Sequence, residues 1–266
     1  MRAEERYIEV NKRLWNEKTK YHIQSAFYNN TAFLAGESTL KEPELAILGN
    51  VAGKEILHLQ CHFGQDTMSL ARMGAKCTGA DLSDEAIRKA TEFNAQLRLD
   101  AKFVCADVYN LPNVLTGQFD IVFTSYGVLG WLPDMQRWAK VVAHFLKQGG
   151  KLVLVEMHPV VWMFDNEFTY VQYPYFNKEA IIETLKGTYA DRDADMEMEE
   201  IGWNHPLSDV LQSLIDAGLQ INLFNEYDYC PYDCFANTVE VAKGKFNIKG
   251  MEGKLPMLYA VVAEKR

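Results

Sequence analysis

Between residues 56 and 156, apolar runs of strand length alternate with amphipathic stretches of helix length. Strands joined by helices must run parallel, because a parallel pair needs a crossover rather than a hairpin. Strands are predicted over residues 56–59, 76–80, 102–104, 119–124 and 152–156. Helices are predicted over 66–73, from Ser83, and over 134–146. Asp66 in a first turn suits the helix dipole, and Gly74 stops that helix. Ser83 is a helix cap, with Asp84 and Glu85 in the turn after it.

After residue 158 the rhythm breaks. Residues 158–204 carry many aromatics and an acidic run over 191–200, without a clear period. A helix over 208–217 is stopped by Gly218, and strands follow at 219–224 and 257–263, with residues 226–255 irregular between them. At the other end, Tyr7, Val10, Leu14 and Trp15 share one helical face. Residues 21–33 read as irregular, and 42–48 as a short helix. The expected architecture is a single doubly wound α/β domain with two insertions, near 158–204 and 226–255. Residues 1–50 form a helical cap or lid, and 51–266 the main domain.

Composition narrows the partners. The net charge of -9 repels duplex nucleic acid, and no Lys/Arg cluster offsets it. No apolar run is long enough to span a bilayer, and the start of the chain lacks the apolar core of a signal peptide. The five cysteines, Cys61, Cys77, Cys105, Cys230 and Cys234, are odd in number and irregular in spacing, so a reducing, cytoplasmic setting is expected.

In an open α/β sheet, ligands bind beyond the carboxyl ends of the strands. Those ends carry Gln60 to Gly64, Asp81-Leu82-Ser83, Asp107-Val108, Ser125-Tyr126-Gly127 and Glu156-Met157-His158. Asp81 lies about 20 residues past the first loop and suits a ribose diol, since a carboxylate accepts from both hydroxyls. Asp107 suits an exocyclic amine such as that of adenine. Either Asp alone is also an ordinary cap or turn residue; two at successive strand ends favour a nucleoside crevice.

These segments resemble the seven-stranded S-adenosylmethionine-dependent methyltransferases, over roughly residues 53–156 and more loosely to the end. The resemblance is carried by five pieces in order. They are His58-Leu59-Gln60-Cys61-His62-Phe63-Gly64, Thr78-Gly79-Ala80-Asp81-Leu82-Ser83, Cys105-Ala106-Asp107-Val108, the strand from Phe119 to Tyr126, and Leu146-Lys147-Gln148-Gly149-Gly150-Lys151-Leu152. The whole chain is similar to a bacterial branch in which the loop reads His-Leu-Gln-Cys-His-Phe-Gly. The resemblance implies a mixed seven-stranded sheet with an antiparallel member and S-adenosyl-L-methionine as cofactor. It places Gln60, Cys61 and Gly64 at the methionine end, Asp81 and Leu82 at ribose and adenine, and Asp107 and Val108 at the adenine edge. Ser125 and Tyr126 would line the methyl path, with Tyr28 as a lid contact.

The loop departs from the family pattern. His58 stands where the family has an acid, and Gln60 and His62 stand where it has glycine. Glycine there permits positive φ and close backbone approach. Histidine visits positive φ more readily than most residues, and the Gln60 side chain can donate to a carboxylate. A dinucleotide needs a Gly-x-Gly-x-x-Gly turn against its pyrophosphate, which this chain lacks; S-adenosylmethionine carries no phosphate.

His58, Cys61 and His62 form no tetrahedral ligand pattern, and Cys230 and Cys234 have no nearby His, so no metal is expected. His158 and His205 flank the first insertion at the carboxyl edge and are the candidate general bases, with Glu156 a third. Pro159 and Pro206 make stiff turns an equally natural reading of both histidines. Aromatics of the amino-terminal segment and insertions, among them Trp15, Trp162 and Trp203, suit a lid over a small organic acceptor. The expected function is methyl transfer to a small molecule. The alternatives are a non-catalytic binder of S-adenosylmethionine or S-adenosylhomocysteine and, further off, a dinucleotide-dependent oxidoreductase.

Overall fold

The computed structural model describes residues 3–266; Met1 and Arg2, with which the expected cap begins, lie outside the described residues. Seven strands form the main sheet: β1 (Glu55–Leu59), β2 (Lys76–Asp81), β3 (Lys102–Cys105), β4 (Phe119–Ser125), β5 (Leu146–Met157), β8 (Leu219–Tyr227) and β11 (Leu258–Lys265). Their order is β3-β2-β1-β4-β5-β11-β8. The first five run parallel, and β11 is antiparallel to both β5 and β8. This is the expected mixed seven-stranded sheet.

Alternation along the strands splits the core into two layers. Ile56, Ile121, Phe123 and Val153 face one way, against α3 (Glu42–Leu48) and α4 (Gln65–Arg72). Leu57, Leu59, Val122, Leu152 and Leu154 face the other way, against α7 (Met135–Phe145) and α8 (Leu207–Asp216). The caps act as their residue types suggest: Ser83 accepts from the Ala86 N–H at the start of α5 (Asp84–Gln96), and Asp134 from the Arg137 N–H at the start of α7. Gly64, φ 77°, begins α4 so close to β3 that an added Cβ would stand 2.5 Å from the Phe103 ring. The remaining helices are α1 (Ala3–His22), α2 (Asn30–Leu34) and α6 (Leu111–Val114).

Three expectations need correction. Residues 21–33 are not wholly irregular, since α1 runs to His22 and α2 begins at Asn30. The first insertion holds a hairpin, β6 (Ile181–Lys186) with β7 (Glu197–Gly202), and the second holds β9 (Thr238–Ala242) with β10 (Lys245–Ile248). Both hairpins are small separate sheets that bury little of their own surface, so neither shows the strong apolar period of a core strand.

α1 and the first hairpin are held together over the carboxyl ends of the strands. Tyr7, Val10, Ile201 and Trp203 make a small core between them. The free edge of β7 is closed by one amide: Asn11 Nδ2 donates to the Ile201 carbonyl at 2.7 Å, and the Ile201 N–H donates to Asn11 Oδ1 at 3.1 Å. Arg6 and Lys18 bind Glu199 and Glu200 at 2.6 and 3.2 Å. Among the described residues, no helix is long and apolar enough to cross a membrane.

Asn11→Leu would leave both Ile201 groups buried without partners, so it should cost about 2–4 kcal/mol. Urea denaturation measures this; a loss below about 0.5 kcal/mol, the size of an ordinary surface substitution, would contradict the role given to Asn11.

Candidate functional site

One cavity of about 1000 Å³ lies over the carboxyl ends of β1, β2, β3 and β4, under α1 and the first insertion. It is at the upper end of the range for small-molecule sites. Tyr28, Gln60, Cys61, Gly64, Asp81, Leu82, Asp107, Val108, Ser125 and Tyr126 all line it.

The loop after β1 keeps its glycine-like path without the glycines. Gln60, His62 and Gly64 have φ of 55°, 50° and 77°, all in the left-handed region. Holding two side-chain-bearing residues there costs roughly 1–2 kcal/mol each. Contacts offset that cost. The His62 N–H donates to Asp81 Oδ2 at 2.8 Å, and Gln60 Nε2 donates to the Val128 carbonyl at 2.8 Å. The Gln60 amide therefore ties the β1 loop to the loop after β4, rather than binding a carboxylate with its N–H. Its Oε1 is buried without a hydrogen-bond partner. A ligand bringing an N–H or O–H donor would satisfy it.

Asp81 Oδ1 also accepts from the Ser83 N–H at 2.8 Å. Burial pushes its carboxyl up to about 6, against the pull of these backbone donors. Asp107 is half-buried, and burial raises its carboxyl as well. Each Asp81 oxygen retains a free lone pair, so the residue can serve both the loop and a ligand.

Above the loop sits a cluster that sequence spacing did not reveal. His22 Nδ1 and His62 Nε2 are 3.0 Å apart. Tyr28 stacks on His22 at 5.2 Å, and Trp15 meets His62 edge-on at 5.3 Å. The Tyr28 hydroxyl meets that of Tyr189, from the turn of the first insertion. Burial pulls His22 down to about 2 and His62 to about 3, so both rings are neutral. Lys18 lies 5.1 Å from the ring centres of Trp15 and Trp131. The density of aromatics in the amino-terminal segment and first insertion was the available signal; their pairing across 40 and 161 residues had none.

The candidate bases are not brought to the cavity. His158 is buried beneath it, with Nε2 3.0 Å from Glu226 Oε1 and Nδ1 accepting from the Val160 N–H. His205 Nε2 bonds the Leu132 carbonyl at 2.7 Å. Neither lines the cavity, and both secure loop turns. Glu156 accepts from the N–H groups of Gly127, Val128, Leu129 and Met157, and so shapes the loop after β4. A strand-end position placed these side chains near the right edge, but they point into the protein. Cys230 and Cys234 Sγ atoms are 3.8 Å apart; among the described residues no metal-binding cluster of three or more ligands exists.

Residues 56–150 match the family model described as a methyltransferase domain. The ubiquinone biosynthesis O-methyltransferase of Coxiella burnetii is 36% identical over 100 residues, 38% of this chain and 42% of that one. An uncharacterized methyltransferase of Synechocystis sp. is 33% identical over 136 residues, 50% of this chain and 62% of that one. The chain thus spans less than two thirds of the length of these relatives. Among solved structures, an S-adenosylmethionine-dependent methyltransferase from Mesorhizobium loti superposes with a TM-score of 0.60 at 20% identity, covering 87% of this chain and all of that one. A glycopeptide N-methyltransferase complexed with sinefungin gives 0.56 at 16% identity, over 84% and 85% of the two chains. The fold is that of the S-adenosylmethionine-dependent methyltransferases.

His58 joins His22 and His62 as a buried neutral ring; burial lowers it to about 3, and its Nδ1 meets Thr67 Oγ1. An unfolded histidine protonates below about pH 6.5, whereas the folded one does not until about 3. The unfolded state therefore gains protons first, and stability is lost as pH falls through that window. Between pH 7 and 5 the loss is about 2 kcal/mol per buried histidine. Glu44 and Asp81, raised to about 7 and 6, act in the opposite sense, but they cancel in a comparison with one variant. His58→Gln should lose about 2 kcal/mol less than the wild type between pH 7 and 5 in urea denaturation; equal losses would contradict it.

Proposed function

We propose that the protein is an S-adenosylmethionine-dependent methyltransferase whose acceptor is a small molecule with a largely apolar body. The observation that carries the reading is the convergence of the β1 loop, Asp81 and Asp107 on one cavity, within the segment that matches a methyltransferase domain. The unpartnered Gln60 Oε1 and the free lone pairs of Asp81 suit a ligand rich in N–H and O–H donors.

In this reading Asp81 accepts from the ribose diol, while Asp107 and Val108 take the adenine edge. Ser125 and Tyr126 line the path of the methyl group. Bound there, S-adenosylmethionine supplies an electrophilic methyl on a sulfonium. The chain contributes position and an aromatic wall: Trp162, Tyr189, Tyr232 and Phe235 line the cavity. Orientation of this kind accelerates a bimolecular transfer without covalent catalysis. With His158 and His205 turned away, an acceptor that must lose a proton gives it to solvent or to a group other than these two. The likeness to an O-methyltransferase of ubiquinone biosynthesis covers only 38% of this chain, so it does not carry that acceptor over.

Calorimetric titration at pH 7.5 should show binding of S-adenosylmethionine and S-adenosylhomocysteine and none of NAD; absence of binding by both sulfur compounds would refute the proposal. Affinity should be flat above pH 7 and fall below about 6, because protonation removes the charge of the Asp81 acceptor. Asp81→Asn should bind at least tenfold more weakly at pH 7.5, in keeping with loss of a charged hydrogen-bond acceptor worth ~1.5–3 kcal/mol, and with a flatter pH profile.

A further inference from the structure

The buried acids of the cavity wall are nearly all provided for. Asp81 has two backbone N–H donors, Glu200 has Lys18, and Asp107 accepts from backbone N–H groups. Asp66 differs. It stands in the first turn of α4, with Oδ1 accepting from the Thr39 hydroxyl at 2.5 Å and Oδ2 from the Ser125 hydroxyl at 3.4 Å. Among the described residues, no cation forms a salt bridge with it. A carboxylate half withdrawn from water, with only hydroxyl partners, is a costly group unless a cation completes it.

Its place in the sheet says which cation. Asp107 follows β3, Asp81 ends β2, and Asp66 lies between the loop after β1 and the end of β4. In the order β3-β2-β1-β4 this is two to three strand spacings, roughly 10–14 Å at ~4.8 Å each. An elongated nucleoside with its base at one end and an amino-acid group at the other runs along that line.

The same wall carries a cation without a carboxylate partner among the described residues. Lys41, the cap residue of α3, lines the cavity, and its Nζ lies 4.9 Å from the ring centre of Tyr232. It is near enough for its charge to oppose the upward push that burial gives the Asp66 carboxyl.

We infer that Asp66 and Lys41 form the site for the amino-acid end of the cofactor, Asp66 accepting from its ammonium and Lys41 donating to its carboxylate. This rests on the methyltransferase reading above. It answers how the loop without two of its glycines holds that end: through the first turn of α4 and the segment before α3, rather than through the Gln60 N–H.

The test compares S-adenosylhomocysteine with 5′-methylthioadenosine, which keeps the thioether nucleoside and lacks the amino acid. By calorimetry on the full chain, S-adenosylhomocysteine should bind at least about tenfold more tightly to the wild type, as charged hydrogen bonds imply. Asp66→Asn should remove most of that advantage and leave the affinity for 5′-methylthioadenosine within about twofold, too small a change for loss of a charged contact. Lys41→Met, at a partly exposed position, serves as the second variant should Asp66→Asn not fold, with the same expected pattern. Equal affinities of the two compounds for the wild type overturn the inference and leave the methyltransferase reading standing. So does a variant that weakens both compounds alike. Failure of the wild type to bind either compound overturns both.

Discussion

The Asp81 carboxylate is the joint on which the crevice depends. One oxygen fixes the His62 N–H and so holds the β1 loop in its left-handed path; the other fixes the Ser83 N–H, which opens α5. Two residues that would ordinarily avoid positive φ stay there because Asp81 accepts from the His62 backbone and the Val128 carbonyl from the Gln60 side chain. The Gln60 amide makes the second tie, across to Val128, and Glu156 gathers the N–H groups of that loop from below. The three strand-end loops thus form one rigid floor. Glycine is dispensable at Gln60 and His62 because the Gln60 side chain and the His62 backbone N–H are both tied down. It is not dispensable at Gly64, where the Phe103 ring leaves no room for a Cβ.

The roof is built from distant parts of the chain. α1 supplies Asn11 and Lys18 to β7, and Tyr28 meets Tyr189 above the loop. What reads in sequence as an acidic run without a clear period therefore includes the partners of Arg6 and Lys18. The neutral pair His22 and His62 fits the same logic. Two desolvated neutral rings add apolar surface and no charge over the β1 loop. Neutral rings and aromatic side chains over the loop suit a transfer in which charge is dispersed rather than created.

Much of this was legible in the residues, for physical reasons that differ by element. The strands β1 to β5 and their helices carry strong periods and clear stops, such as Gly74, Ser83 and Asp134, and their positions agree with expectation to within a few residues. The main exception is β5, which begins at Leu146, where its pairing with β4 shifts register. The residues proposed for the cofactor line one cavity because strand ends in this fold converge by topology. The two insertion hairpins were not legible, since their strands are half-exposed and lie outside the main sheet. Direction was not legible either: His158 and His205 occupy the expected edge, yet each spends a ring nitrogen on Glu226 or Leu132 outside the cavity. Asp66 read as a helix-dipole residue; only the fold brings Thr39 and Ser125 to it and shows what it lacks.

The central claim is that the strand ends of β1 to β4 hold one methyl-donor nucleoside, laid from Asp107 past Asp81 to Asp66. A crystal structure of the full chain with S-adenosylhomocysteine measures this directly. The account predicts the ribose hydroxyls within hydrogen-bonding distance of Asp81, adenine against Asp107 and Val108, and the sulfur facing Ser125 and Tyr126. A ligand seated elsewhere, or lying with its adenine toward β4, would contradict it.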